Sequence, residues 1–435
     1  MKALIPAAAL INCLLLGAHY LRVGETGLTA AFVLLGLAAF MKREWLRWTV
    51  AAALAFGAFI WADTLSGLVG FRMMAGLPWQ RTAVILGGVL AFDLLALVLM
   101  LSPWAAKRYA GRKQDAAPKA AAFTVTAGLL LLAEAKSPIT LLLLERLAPV
   151  WGGLEVLLLS LYAAWITGLM LDAANTAVVR GRIWGLFSLI FFMQFGLGLI
   201  GVPHMLMTGE LHIPVPALIA AGPVFRGEGF FMLFLFGASV LLLGPAWCSH
   251  LCYIGAWDHW AANAQSRTPQ LSQGAKYIRA GFLALVLAAA LLLRHSGFSV
   301  LAAVLSAVIF GLAGVWIMLT LSRRKGTMVH CTTYCPIGIV SNVLGKVNPW
   351  RVKIGEGCSR CGKCSRACRY SALTARDLEN GRVGLSCTLC GDCVNACPEG
   401  RMHYTFPGLT PAASRAAFIT LAAALHAVFL GVARI

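Results

Sequence analysis

Long apolar blocks dominate the chain, most of them close to the ~20 residues that cross a hydrocarbon layer as a helix. They predict membrane helices near residues 3–21, 27–41, 46–68, 82–103, 120–142, 150–172, 183–202, 228–247, 277–294, 299–321 and 412–432. The second block is short, and Glu134-Ala-Lys136-Ser-Pro138 interrupts the fifth. The first follows Met1-Lys2, but no small-residue cleavage site comes after it, so it reads as a retained helix. The expected fold is thus an α-helical polytopic membrane protein of about 11 transmembrane helices. Composition agrees: 60% of residues are hydrophobic and 12% charged, against ~25% charged in a soluble domain.

The pattern changes after Arg323. Residues 346–405 are rich in Gly, Cys and Arg, carry no apolar run, and are bounded by Asn348-Pro349 and Phe406-Pro407. They predict a small α+β module held between membrane helices. Four regions follow: membrane helices of unassigned role (1–180), duplicated helix pairs with Cys-x3-Cys motifs (181–345), the module (346–405) and a last membrane helix (406–435). The duplication is read from Cys248-Ser-His-Leu-Cys252-Tyr-Ile254-Gly255 and Cys331-Thr-Thr-Tyr-Cys335-Pro-Ile337-Gly338. Residues 203–226, with four prolines, form the longest outer loop and are expected to pack as re-entrant or interfacial structure.

Net charge is +19, from 36 Lys and Arg against 17 Asp and Glu. No basic helix with interleaved aromatics occurs, so the lipid bilayer is the expected partner and nucleic acid is not. Lys42-Arg43, Lys107-Arg108, Arg112-Lys113, Arg180 with Arg182, and Arg323-Arg324-Lys325 fall on one side in this helix count. The positive-inside rule makes that side cytoplasmic, and the module lies there.

Twelve of the 13 cysteines lie between Cys248 and Cys397. Cys358-x2-Cys361-x2-Cys364-x3-Cys368 precedes Cys387-x2-Cys390-x2-Cys393-x3-Cys397-Pro398, the two-cluster bacterial ferredoxin pattern in which each fourth cysteine ligates the other cluster. It assigns Cys358, Cys361, Cys364 and Cys397 to one [4Fe–4S] cluster and Cys387, Cys390, Cys393 and Cys368 to a second. Zinc is the competing reading, but it takes its thiolates in separated pairs. Gly362 and Gly391 let the backbone approach the sulfurs. Arg369 stands where the first run would carry proline, and its charge is expected to favour the reduced cluster. The module has ten basic and five acidic residues, which offsets anionic clusters and suits an acidic electron partner.

Cys248/Cys252 and Cys331/Cys335 have i, i+4 spacing, which puts both sulfurs on one face if the segments are helical. Four sulfurs meeting beneath the bilayer would suit a soft metal, a further iron–sulfur centre or a redox-active dithiol pair.

Over about residues 180–405 the chain resembles the NapH/NosR-type membrane polyferredoxins. Cys331, Cys335 and Pro336 match their Cys-x3-Cys-Pro motif, while Tyr253 replaces the proline after Cys252. The resemblance implies a bacterial cytoplasmic (inner) membrane protein, a quinol dehydrogenase-like oxidoreductase subunit that exchanges electrons between the quinone pool or a cytoplasmic donor and a partner redox enzyme. It equally implies support of a periplasmic metalloenzyme. The competing class is a redox assembly or regulatory factor that matures such an enzyme.

Other signals weigh less. Gly196-x-Gly198-x2-Gly201 fits a dinucleotide fingerprint by letters, but it lies in a membrane block without a preceding strand, so close helix packing is the expected reason. His19 and His426 sit in apolar blocks and His204, His212 and His295 near the outer edge; no spacing pairs them, and haem is not expected. Asp63, Asp93, Glu134 and Lys136, in or near membrane blocks, are candidates for proton relay or quinone chemistry. His204, Glu210 and His212 are candidates to take protons from a quinol.

Overall fold

The computed structural model describes residues 4–110, 115–208, 212–266, 269–271 and 274–432. Arg112, Lys113 and Glu210 lie outside them. The chain divides into two compact units, Met1–Gly168 and Leu169–Ile435.

The first unit contains α1 (Leu4–Arg22), α2 (Thr26–Ala38), α3 (Glu44–Met74), α4 (Gln80–Leu101), α5 (Ala116–Lys136) and most of α6 (Gly152–Leu171). Small residues let these helices approach: a Cβ on Gly36 would lie 2.9 Å from Cys13 Cβ, and one on Gly57 would lie 2.6 Å from Leu16 Cδ1. One sequence expectation fails here and another shifts its bounds. α2 has 13 residues, about 20 Å at 1.5 Å per residue, too short for the hydrocarbon layer. α5 stops at Lys136 because Ser137, preceding Pro138, is pushed to extended backbone. Among the described residues ten helices, and not eleven, are long and apolar enough to span. Asp93 is fully buried, with no partner for either carboxylate oxygen. Asp63 and Lys136 are exposed, and Glu134 accepts a bond from the Leu141 amide, holding the turn after α5.

The second unit runs α7 (Thr176–Leu199), α8 (Leu218–Arg226), α9 (Phe231–Leu243), α10 (Trp247–His250), α11 (Gly255–Ala262), α12 (Ala275–His295), α13 (Val300–Ile317) and α14 (Pro336–Leu344). The module follows, with β1 (Arg351–Ile354), α15 (Lys363–Ala367), α16 (Asp392–Asn395) and β2 (Met402–Thr405), and then α17 (Pro411–Val432). α9 and α10 form one apolar span through a tight turn at Gly244–Ala246. The long 203–227 loop contains α8, which packs on α12. A Cβ on Gly196 would meet nothing within 4 Å, so close packing does not explain that glycine, and Gly201 turns the chain after α7 with φ +83°.

Antiparallel pairing of β1 with β2 sets Arg351 opposite Thr405 and Ile354 opposite Met402. That ladder joins the two ends of the module, so the close of the second cysteine run returns to the start of the first.

Candidate metal centres

Each cysteine run is shaped by left-handed backbone at matching places. Arg360 and Leu389, each just before the second cysteine of its run, both have φ 54°. Gly362 (φ 72°) and Gly391 (φ 85°) follow that cysteine and start α15 and α16. The chain thereby doubles back between successive cysteines and turns amides toward sulfur. The Leu389 amide donates to Cys387 Sγ at 3.5 Å, and the Ala372 amide to Cys368 Sγ at 3.3 Å.

The runs interleave. Cys368 of the first run lines one cavity with Cys387, Cys390 and Cys393 of the second, walled by Tyr370 and Thr388. The Cys364 thiol lies within electrostatic reach of Cys397 and Cys358. Cys361 is exposed, whereas Cys364, Cys368 and Cys393 are buried.

Cys248, Cys252, Cys331 and Cys335 also converge, though not on one helical face. Cys248 lies in α10 and Cys252 beyond its end; Cys331 lies in a wide helical turn at His330–Tyr334, and Cys335 is the extended N-cap of α14. The helix breaks between the members of each pair, and the next helix begins over the second sulfur. The amides of Gly255 and Ile254 favour the Cys252 thiolate electrostatically, as those of Gly338 and Ile337 favour that of Cys335. This common geometry survives the replacement of proline by Tyr253, whose ring stacks on Phe191 at 4.1 Å. All four thiols line one cavity, together with Trp247, Arg279, Tyr370 and Thr388.

That cavity is ringed by unused donors. Trp247 Nε1, Arg279 Nε, the Tyr370 hydroxyl and Thr388 Oγ1 are buried without a hydrogen-bond partner. Their residues are 5%, 2%, 3% and 4% exposed, respectively. Arg279 otherwise donates to Cys331 O (3.0 Å) and Asn342 Oδ1 (2.8 Å). Among the described residues no carboxylate pairs with it. A buried guanidinium facing four sulfurs costs several kcal/mol unless an anion compensates it. An anionic, sulfur-rich group such as a thiolate-ligated cubane meets that requirement. Burial pushes the Cys252 and Cys331 thiols well above their ordinary range, so as bare thiols they are protonated and weakly nucleophilic. Metal binding would displace those protons. Among the described residues no three His, Cys, Asp or Glu side chains close to single-ion chelation distance; the thiols ring cavities instead.

Several bonds fix the second run against α7, α10 and α14. Arg180, 1% exposed at the start of α7, meets Asp392 Oδ2 at 2.8 Å and Oδ1 at 3.0 Å. Ser249 Oγ donates to Thr388 O (2.9 Å), and Asn342 Nδ2 to Cys387 O (3.0 Å). Arg369 donates to the carbonyls of Ala262, Gly326 and Gln265, and so ties the first run to the helix ends. Arg180, Arg279, Asn342, Tyr370 and Thr388 were not singled out by motif. The legible signal was Arg279, a cation inside an apolar block.

A family model described as a 4Fe-4S binding domain matches residues 228–269 and 299–354. These two segments carry Cys248, Cys252, Cys331 and Cys335 and stop short of both cysteine runs. No curated protein and no solved structure matches the chain. The chain therefore carries an iron–sulfur domain of ferredoxin type within a mostly helical body of ten candidate spans.

Proposed function

We propose that this protein is a membrane-bound electron carrier with three thiolate-held iron–sulfur centres. Two are [4Fe–4S] clusters of the module, one on Cys358, Cys361, Cys364 and Cys397, the other on Cys387, Cys390, Cys393 and Cys368. The third is held by Cys248, Cys252, Cys331 and Cys335 at the membrane edge. Bound clusters would supply one-electron chemistry at each site. The protein's own part is to hold the thiolates, exclude water and aim donors at sulfur, which sets the potentials.

One observation carries this reading: four convergent thiols share a cavity with four unpartnered buried donors, and Tyr370 and Thr388 wall both that cavity and the second-run cavity. Electrons would pass between the exposed edge at Cys361 and the bilayer boundary. A cytoplasmic donor or the quinone pool stands at one end and a partner redox enzyme at the other. In the ten-span count the module still shares a side with Arg180, Arg182 and Arg323-Arg324-Lys325, the side that the positive-inside rule makes cytoplasmic. The competing reading, a factor that reduces disulfides or metals during assembly, asks for accessible thiols of low pKa. The buried Cys252 fits it poorly.

Iron and acid-labile sulfide counts on anaerobically purified protein test the proposal. Three cubanes give about 12 irons per chain, falling to about 8 in Cys331→Ser. About 8 irons in both proteins would remove the third centre, and zinc in place of iron would remove the redox reading altogether.

A further inference from the structure

Tyr370 is the second residue after the last cysteine of the first run, a position with no ligand role in the ferredoxin pattern. It is 3% exposed, and its hydroxyl has no hydrogen-bond partner. Its side chain lines both the Cys368–Cys387–Cys390–Cys393 cavity and the cavity of the four membrane-edge thiols. The hydroxyl lies within electrostatic reach of Cys331 and Cys248 on one side and Cys390 on the other. Thr388 shares the same two walls and is also unpartnered at Oγ1.

Leaving a buried hydroxyl unbonded is unfavourable. A tyrosine so placed with no acceptor would be replaced by phenylalanine at no loss. The available acceptors are sulfurs: thiolates of the ligating cysteines or sulfides of a bound cluster. A hydrogen bond to such a sulfur disperses negative charge and favours the reduced state, one of the means by which proteins set cluster potentials.

We propose that Tyr370 is a positioning residue at the junction of the module and the membrane-edge centre, its hydroxyl donating to a sulfur of the Cys248/Cys252/Cys331/Cys335 centre and raising that centre's potential. The step it serves is a one-electron exchange. With both clusters bound, one electron would pass between the second-run centre and the membrane-edge centre, one being oxidised as the other is reduced, and no bond would break. The hydroxyl keeps its proton throughout. Thr388 supplies a second, weaker donor in the same wall. This inference rests on the third centre of the proposed function.

Redox titration followed by EPR, on full-length protein in detergent or nanodiscs, tests it. In Tyr370→Phe, with iron content unchanged, the midpoint of the membrane-edge centre moves negative while the first-run centre stays put. Incorporation of 3-fluorotyrosine at position 370 keeps the hydroxyl and makes it a stronger donor, so the same midpoint moves positive; this variant remains informative if phenylalanine costs iron. Thr388→Val gives a smaller negative shift. Unchanged midpoints in both Tyr370 variants, at full iron content, would overturn the inference and leave the third centre standing. Absence of any iron or signal that depends on Cys331 overturns the third centre itself, and this inference with it.

Discussion

The two cysteine runs share one spacing and one backbone shape, yet their surroundings differ. The front of the first run faces outward: Cys361 is exposed, and Arg360, Lys363 and Arg366 around it are exposed too, while Arg369 at its far end is tied to the carbonyls of Ala262, Gly326 and Gln265. The second is enclosed, with Thr388, Leu389 and Cys393 buried, and is bonded to α7, α10 and α14 through Arg180, Ser249 and Asn342. A symmetrical ligand pattern is thus made directional by what packs on each half. One run has a solvent-exposed cysteine at its front; the other is enclosed against the helices that carry the remaining four thiols.

The comparison breaks most decisively at the Arg180–Asp392 bridge. Arg180→Met strands a mostly buried carboxylate, and removing one partner of a buried pair costs about 3–5 kcal/mol. Thermal unfolding followed by cluster absorbance should show a lower midpoint and early loss of the second-run chromophore. An unaltered melt would mean that this bridge does not fasten the enclosed half.

The paired glycines sharpen the contrast. Both occupy left-handed backbone, so alanine costs about 1 kcal/mol at either position through the helix-start strain alone. At Gly391 the new methyl also runs into the Tyr404 hydroxyl, whereas at Gly362 it meets only the mobile tip of Arg366 at 3.3 Å. Gly391→Ala should therefore cost about 2–3 kcal/mol with overpacking included, and Gly362→Ala about 1 kcal/mol. Denaturant midpoints of the two variants measure the difference; equal midpoints would deny that the second run is the tightly packed one.

Much of this was legible in the chain. Apolar blocks located ten candidate spans among the described residues, because a helix suited to lipid must satisfy its own backbone bonds and so announces itself by length and hydropathy. The same logic overcounted at α2, where a short apolar stretch meets the composition of a span but not its length. Cysteine spacing pointed to twelve candidate ligands, of which Cys368, Cys387, Cys390 and Cys393 line one cavity and Cys248, Cys252, Cys331 and Cys335 another. The arrangement of the edge pairs was not legible. The i, i+4 spacing suggested one helix face, but each helix breaks between its cysteines and the following helix start supplies amides to the second sulfur. Arg180 looked like a topology signal and is a buried bridge. Tyr370 and Thr388 look like filler, because their significance lies in which two cavities they separate, a tertiary fact that no local pattern encodes. Arg369, expected to act through its charge on a cluster, spends its donors on three carbonyls.

The central claim is that the four membrane-edge thiols hold a paramagnetic centre in contact with the module. EPR spectra of the fully reduced protein and of Cys248→Ser/Cys252→Ser test it most directly. The account predicts that the double variant loses one signal and that magnetic broadening of the second-run signal narrows, while the first-run signal keeps its shape. Identical spectra from the two proteins, at equal iron content, would contradict it.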